Sequence, residues 1–181
     1  MMHGPATTWT PAPVDSLDPF GRTPDAADIL AIRVAGQPLA LRMAQVGGVL
    51  ALSDHRRVVR LPAADPALLG VVAIRGVVTP IFSLSALLGL PGPRTHLWFT
   101  WVEGRNPVAY AFDAVDGRGW LGPEALRTAG TPTHPLLGGA ALYAGTARPL
   151  LNLSDGILAC RARAAALDTT RSDAHRVPFA A

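Results

Sequence analysis

The chain carries one pattern twice, 69 residues apart. Laid over each other without gaps, residues 66–85 and 135–154 share Pro66/Pro135, Leu68/Leu137, Gly70/Gly139, Gly76/Gly145, Pro80/Pro149, Leu84/Leu153 and Ser85/Ser154. Upstream, the same spacing pairs Pro38 with Pro107, Ala40 with Ala109 and Val46 with Val115; a one-residue slip pairs Val34 with Val102 and Gly36 with Gly104. Apart from Ala40/Ala109, the matches fall on turn formers and apolar positions and not on the abundant alanines. Two copies of one supersecondary unit follow. A copy of about 65 residues is near the lower limit for folding alone, so the copies are expected to lean on each other.

Within each copy the hydrophobic period is two. Leu30, Ile32 and Val34 alternate with Ala31 and Arg33; beyond Ala35-Gly36-Gln37-Pro38, the residues Leu39, Leu41 and Met43 alternate again, which predicts a hairpin. The second copy answers with Leu97, Phe99 and Trp101, a turn at 103–106, then Val108, Tyr110 and Phe112. Short strands are expected over 46–52 and 58–61. A further hairpin over 70–74 and 77–84 turns at Arg75-Gly76, where glycine supplies the positive φ of a tight turn, and Gly145 repeats that turn. Pro80 and Pro149 cannot donate to a ladder and are expected at strand edges or bulges. Helical signals are few. Ser85 is placed to cap a turn through Leu88 closed by Gly89, and Ser154 opens the matching segment, which continues through Ile157, Leu158, Arg161, Ala165 and Leu167 as a C-terminal helix. Each half then holds about five short strands and a helical turn, a mainly β fold of two small antiparallel barrels side by side.

Composition removes most other classes. With 49% apolar and 16% charged residues, the body is globular. The formal charge of +3 comes from scattered arginines with no basic stripe, so nucleic-acid binding is not expected. The chain has no lysine, which excludes a P-loop, a Schiff base and a Ser-x-x-Lys site. Cys160 is the single cysteine, so no internal disulfide forms. His3, His55, His96, His134 and His175 lack the spacing of metal ligands. Asp113 and Asp116 precede Gly117 as turn formers would. Ser83, Ser85 and Ser154 lack the Gly-x-Ser-x-Gly setting of an activated nucleophile. No catalytic residue, metal or cofactor is expected. The apolar stretch 68–90 is broken by Arg75, Pro80 and three glycines and is not read as a membrane span. Residues 1–28, rich in Pro, Thr and Asp, lack a secretory signal and read as a flexible leader in which Trp9 and Phe20 are loose contacts. Residues 161–181 read as a helix end and tail.

The segment Leu-Gly-Val-Val-Ala-Ile-Arg-Gly-Val-Val-Thr-Pro-Ile-Phe-Ser-Leu at 69–84 resembles the CheW family, adaptors that couple chemoreceptors to the histidine kinase CheA. Gly70, Val71, Arg75, Gly76, Pro80 and Leu84 carry the match, supported by 29–49, Arg60-Leu61-Pro62, 108–115 and Pro149 to Leu153. The resemblance covers about 29–160 and implies two SH3-like five-stranded barrels related by a pseudo-twofold axis, roughly 29–90 and 97–160, with exchange of chain between them allowed. It also implies a non-enzymatic cytoplasmic scaffold at receptor arrays. The kinase regulatory domain would meet Val59, Arg60, Leu68 and Gly70, and the receptor's cytoplasmic tip would meet a groove with Val46, Val49 and Arg75. Three positions depart from the family. Ala73 and Ser83 stand where Asn and Asp are usual, and Gly48 stands where a Glu can pair with the hairpin arginine, so Arg75 must pair elsewhere or stand free for a receptor. The departures motivate a second reading, a divergent adaptor for pilus or surface motility or a non-coupling array component. A small-molecule-binding barrel or an enzyme is the third.

Overall fold

The computed structural model describes residues 25–52, 58–62, 65–92, 95–128 and 134–154. Among these residues twelve strands lie in chain order: β1 Ala27–Val34, β2 Gln37–Arg42, β3 Val49–Ala51, β4 Val58–Val59, β5 Leu68–Ile74, β6 Val77–Ser83, β7 Trp98–Val102, β8 Val108–Phe112, β9 Ala114–Leu121, β10 Leu126–Thr128, β11 Leu137–Tyr143 and β12 Thr146–Leu151. A single helical turn, α1 Leu84–Leu87, follows β6. The strands form two six-stranded sheets, ordered β10-β11-β12-β2-β1-β9 and β4-β5-β6-β8-β7-β3. Each is a curled half-barrel, with six strands where five were expected.

The duplication seen in the sequence is exact in the pairing. Shifting every β5–β6 pair by 69 residues yields the β11–β12 register: Leu68↔Phe82 becomes Leu137↔Leu151, and Gly70↔Ile81 becomes Gly139↔Leu150. The bulge between Leu68 and Gly70 recurs between Leu137 and Gly139. The parallel pairs Ile81↔Ala109 and Leu150↔Ala40 correspond in the same way, with the two copies interchanged. Each copy therefore lends its opening hairpin to the other's sheet: β1–β2 join β9–β12, while β7–β8 join β3–β6. The spans 29–90 and 97–160 each contribute strands to both sheets.

Two-residue turns set the registers. Ala35-Gly36, Arg75-Gly76 and Ala144-Gly145 all have positive φ at both positions (50/77, 50/82 and 47/74°), the type I′ geometry whose twist matches that of antiparallel strands. Pro80 and Pro149 lie inside strands with two neighbours, each one residue before its second neighbour's ladder begins at Ile81 or Leu150. The missing N–H thus marks where that ladder starts, not an edge of the sheet.

Alternation then distributes the core. On β8 every residue is buried, Ala109 and Ala111 into the interior of their own barrel with Phe99, Trp101, Val72 and Ile81, and Val108, Tyr110 and Phe112 into a central cluster. β2 repeats this, with Ala40 in a smaller cluster beside Ile29 and Leu150, and Leu39 and Leu41 in the central one. The central cluster draws on both sheets and on α1, so the copies bury their largest apolar surface between them.

Several local expectations change. The strand over 46–52 shrinks to β3, because a 3-10 turn occupies Met43–Gln45 and Gly47-Gly48 interrupts pairing. The strand over 58–61 shrinks to β4. Ser83, not Ser85, caps α1, its Oγ accepting from the Ala86 N–H at 3.3 Å. Asp116 is not a turn residue but lies inside β9, an eight-residue strand that the run Asp-Gly-Arg-Gly had hidden. The matching helical segment begins at Leu153; its continuation, residues 1–24 of the leader and Cys160 lie outside the described residues, while the leader's last two residues, Ala27 and Asp28, open β1. No helix among the described residues is long and apolar enough to cross a membrane.

Candidate functional site

One candidate surface lies at the outer edge of the β4-β5-β6 barrel. β4 pairs with β5 through Val58↔Val72 and Val59↔Val71 and, among the described residues, has no strand on its other side. Val58 packs toward the barrel interior, so Val59 faces outward and is 59% exposed. Gly70 makes this close crossing possible: its φ is 145°, and a methyl group there would collide with the Val59 carbonyl and lie 3.0 Å from Arg60 Cα. Beside the edge opens a cleft of about 680 Å³ lined by Leu52, Val58, Leu61, Leu68 and Leu69, with Arg60 and His96 as its polar members. His96 Nε2 lies 2.8 Å from Ser83 Oγ, which lies 2.9 Å from Ser85 Oγ, so the departure at Ser83 serves a helix cap and a hydroxyl–imidazole contact at the cleft. Val59, Arg60, Leu68 and Gly70 are thus brought together on one edge.

The second set, Val46, Val49 and Arg75, is divided. Val46 and Val49 are half-buried against the central cluster. Arg75 stands at the tip of the β5–β6 turn with a 71% exposed side chain, and it is paired: Nη1 donates to Glu103 Oε1 at 2.9 Å. Its guanidinium lies 5.8 Å from the centroid of the Trp101 ring, within cation–π range. Trp101 and Glu103 both press on Gly47-Gly48. A methyl group at Gly48 would lie 2.6 Å from Trp101 Cη2, and one at Gly47 would lie 2.5 Å from Glu103 Oε1. The segment is tied down by Gly47 N–H to Trp101 O at 2.9 Å and Thr100 Oγ1 to Gly48 O at 2.7 Å. Neither Glu103 nor Trp101 was singled out from sequence; the one available signal was the unusual Gly47-Gly48 pair, which implies a bulky neighbour.

The other barrel is closed by a polar network that sequence reasoning also missed. Asp116 on β9 accepts from Arg33 Nε at 2.9 Å and pairs with Arg148 Nη1 at 2.8 Å. Desolvation alone would raise the Asp116 pKa, but hydrogen bonds from Arg148 and Arg33, together with their charges, outweigh it and hold the carboxyl below the usual aspartate value. Arg148 also donates to Ile32 O and lies 5.6 Å over the Tyr143 ring, and that ring covers Gly117 and Gly119. On the same strand Arg118 forms a two-pronged pair with Asp28.

Comparison with known proteins agrees with this architecture. No curated protein matches the chain. Among solved structures it is similar to the scaffolding protein TtCheW from Thermoanaerobacter tengcongensis, with a TM-score of 0.62 at 15% identity over 70% of this chain and 89% of that one, a likeness of fold. The family model of the CheW-like domain matches residues 28–157, which contain both sheets and both candidate surfaces. The chain therefore belongs to the CheW-like domain family, the scaffold and adaptor proteins of chemotaxis.

Proposed function

We propose that this protein couples chemoreceptors to a CheA-type histidine kinase, holding the receptor's cytoplasmic tip and the kinase regulatory domain in one cytoplasmic array, with no chemistry of its own. The observation that carries the reading is the open β4 edge. The terminal position of β4 in its sheet, the outward Val59 and the adjoining apolar cleft suit the addition of another barrel's strand and apolar side chains. Val59, Arg60 and Leu68 make that contact, and Gly70 lets the edge lie close. Arg75 faces the receptor, while Val46 and Val49 seat the Gly47-Gly48 segment beneath it. Coupling is then geometric, since a receptor movement biases whichever kinase state fits the shared scaffold better. The Arg75–Glu103 pair favours the second reading, a divergent adaptor for pilus or surface motility or a non-coupling array component, in one respect: the acid beside Arg75 comes from the loop after β7 and not from position 48.

Immobilised kinase regulatory domain and receptor tip test this separately. Val59→Asp is expected to weaken kinase binding at least about tenfold and spare the receptor, because a carboxylate cannot be buried unpaired at an apolar edge. Wild-type protein that binds neither partner, or a Val59→Asp variant that binds the kinase domain normally, would overturn the proposal.

A further inference from the structure

The two barrels use a similar device, in which only the covered glycine, Gly48 or Gly117, sits at positions related by the repeat, while the ring, cation and acid come from other positions. In the β9–β12 barrel, the Tyr143 ring covers Gly117, Arg148 lies over the ring, and Asp116 pairs with Arg148. In the other, the Trp101 ring covers Gly48, 69 residues before Gly117; Arg75 lies over the ring, and Glu103 pairs with Arg75. They differ in exposure. The Arg148 side chain is 8% exposed, so its ion pair belongs to the interior, whereas Arg75 and Glu103 are 71% and 58% exposed. An ion pair that open to water adds little to stability. Its geometry is nevertheless well defined: the I′ turn fixes the Arg75 backbone, the ring supports one face of the guanidinium, and Glu103 takes the Nη1 end.

We propose that Glu103 is the positioning residue that presents Arg75 to a carboxylate on the receptor tip, a role no side chain at position 48 can take because the Trp101 ring fills that space. The inference rests on the receptor-facing reading of Arg75. A guanidinium has five N–H donors in a rigid fork; with one end held by Glu103, the others stay available to an incoming carboxylate. Val77 and Val78, 50% and 70% exposed next along the hairpin, offer apolar contact to residues flanking that carboxylate. The partner surface that fits is an acidic residue set among apolar ones.

Glu103→Gln keeps the side-chain shape and removes the charge. Binding of this variant to the receptor tip is expected to fall about tenfold, a loss near 1.4 kcal/mol, while kinase-domain binding and melting temperature stay at wild-type values. In ¹⁵N spectra of the free protein, the Arg75 Nε–H and Trp101 indole signals should shift, a readout that needs no partner. The exchange Arg75→Glu with Glu103→Arg should re-form the pair yet fail to bind, because the partner's carboxylate would then meet an acid at the hairpin tip. Normal receptor binding by Glu103→Gln alongside loss in Arg75→Ala would overturn the role of Glu103 alone. Normal binding by Arg75→Ala would overturn the receptor-facing reading and this inference with it. Unchanged Arg75 and Trp101 signals in Glu103→Gln would also overturn the positioning role.

Discussion

Gly70 and Gly76 both have positive φ, but a side chain at each would meet different surroundings. At Gly76 nothing lies within 4 Å of an added Cβ, so Gly76→Ala bears only the backbone strain of the left-handed region, about 1 kcal/mol. At Gly70 the same strain adds to a collision with the Val59 carbonyl, which cannot move without breaking the two β4–β5 pairs. Gly70→Ala is therefore expected to cost about 3 kcal/mol or more, or to displace β4 and with it the proposed kinase contact. Thermal melts of the two variants check the order, and equal melting temperatures would refute it. The turn role of Gly76 and Gly145 was legible because a tight turn is local. The load on Gly70 was not, since its neighbour comes from another strand. Ser83 shows the same limit. Two serines compete to cap α1, and the choice falls where β6 ends, at the Ser83 N–H to Ala67 O bond of 2.8 Å.

Among elements, the exchanged hairpin β1–β2 is the most dependent on partners distant in sequence. Its Arg33 meets Asp116 of β9, which also pairs with Arg148 of β12, so one carboxylate ties three strands together. Asp116→Ala would leave the nearly buried Arg148 cation unpaired and is expected to destabilise the fold by about 3 kcal/mol. The pH dependence has a definite sign. Because the folded-state pKa of Asp116 is depressed, its contribution is complete above the unfolded aspartate value near 4 and is lost as pH falls through the lower folded value. Wild type should thus lose more stability than Asp116→Ala when acidified below about pH 4; denaturant titrations at neutral and acidic pH measure this, and parallel losses would count against it. β9 itself escaped detection because glycines and charges hide its period. Gly117 and Gly119 are needed there to admit the Tyr143 ring, so the feature that makes β9 look like a loop is what lets the barrel close over it.

For the whole molecule, the central cluster of Leu30, Ile32, Leu41, Phe82, Tyr110 and Leu151 takes side chains from both sheets, and each copy supplies the other with two strands. Neither half retains a complete sheet without its neighbour. Unfolding is accordingly expected as a single transition with equal calorimetric and van't Hoff enthalpies, and two resolved transitions would show that the barrels are separable. The sequence by itself determined the duplication, the hairpins with the glycine turns at Gly76 and Gly145, the β class and the family, because these rest on period, on turn chemistry and on a motif contiguous along the chain. Only the tertiary structure decided that the copies exchange hairpins, that Gly48 yields its space to Trp101, and that Arg75 finds its acid at Glu103. Those outcomes depend on side chains brought together from strands far apart in sequence, where packing in three dimensions, not local preference, selects the partner.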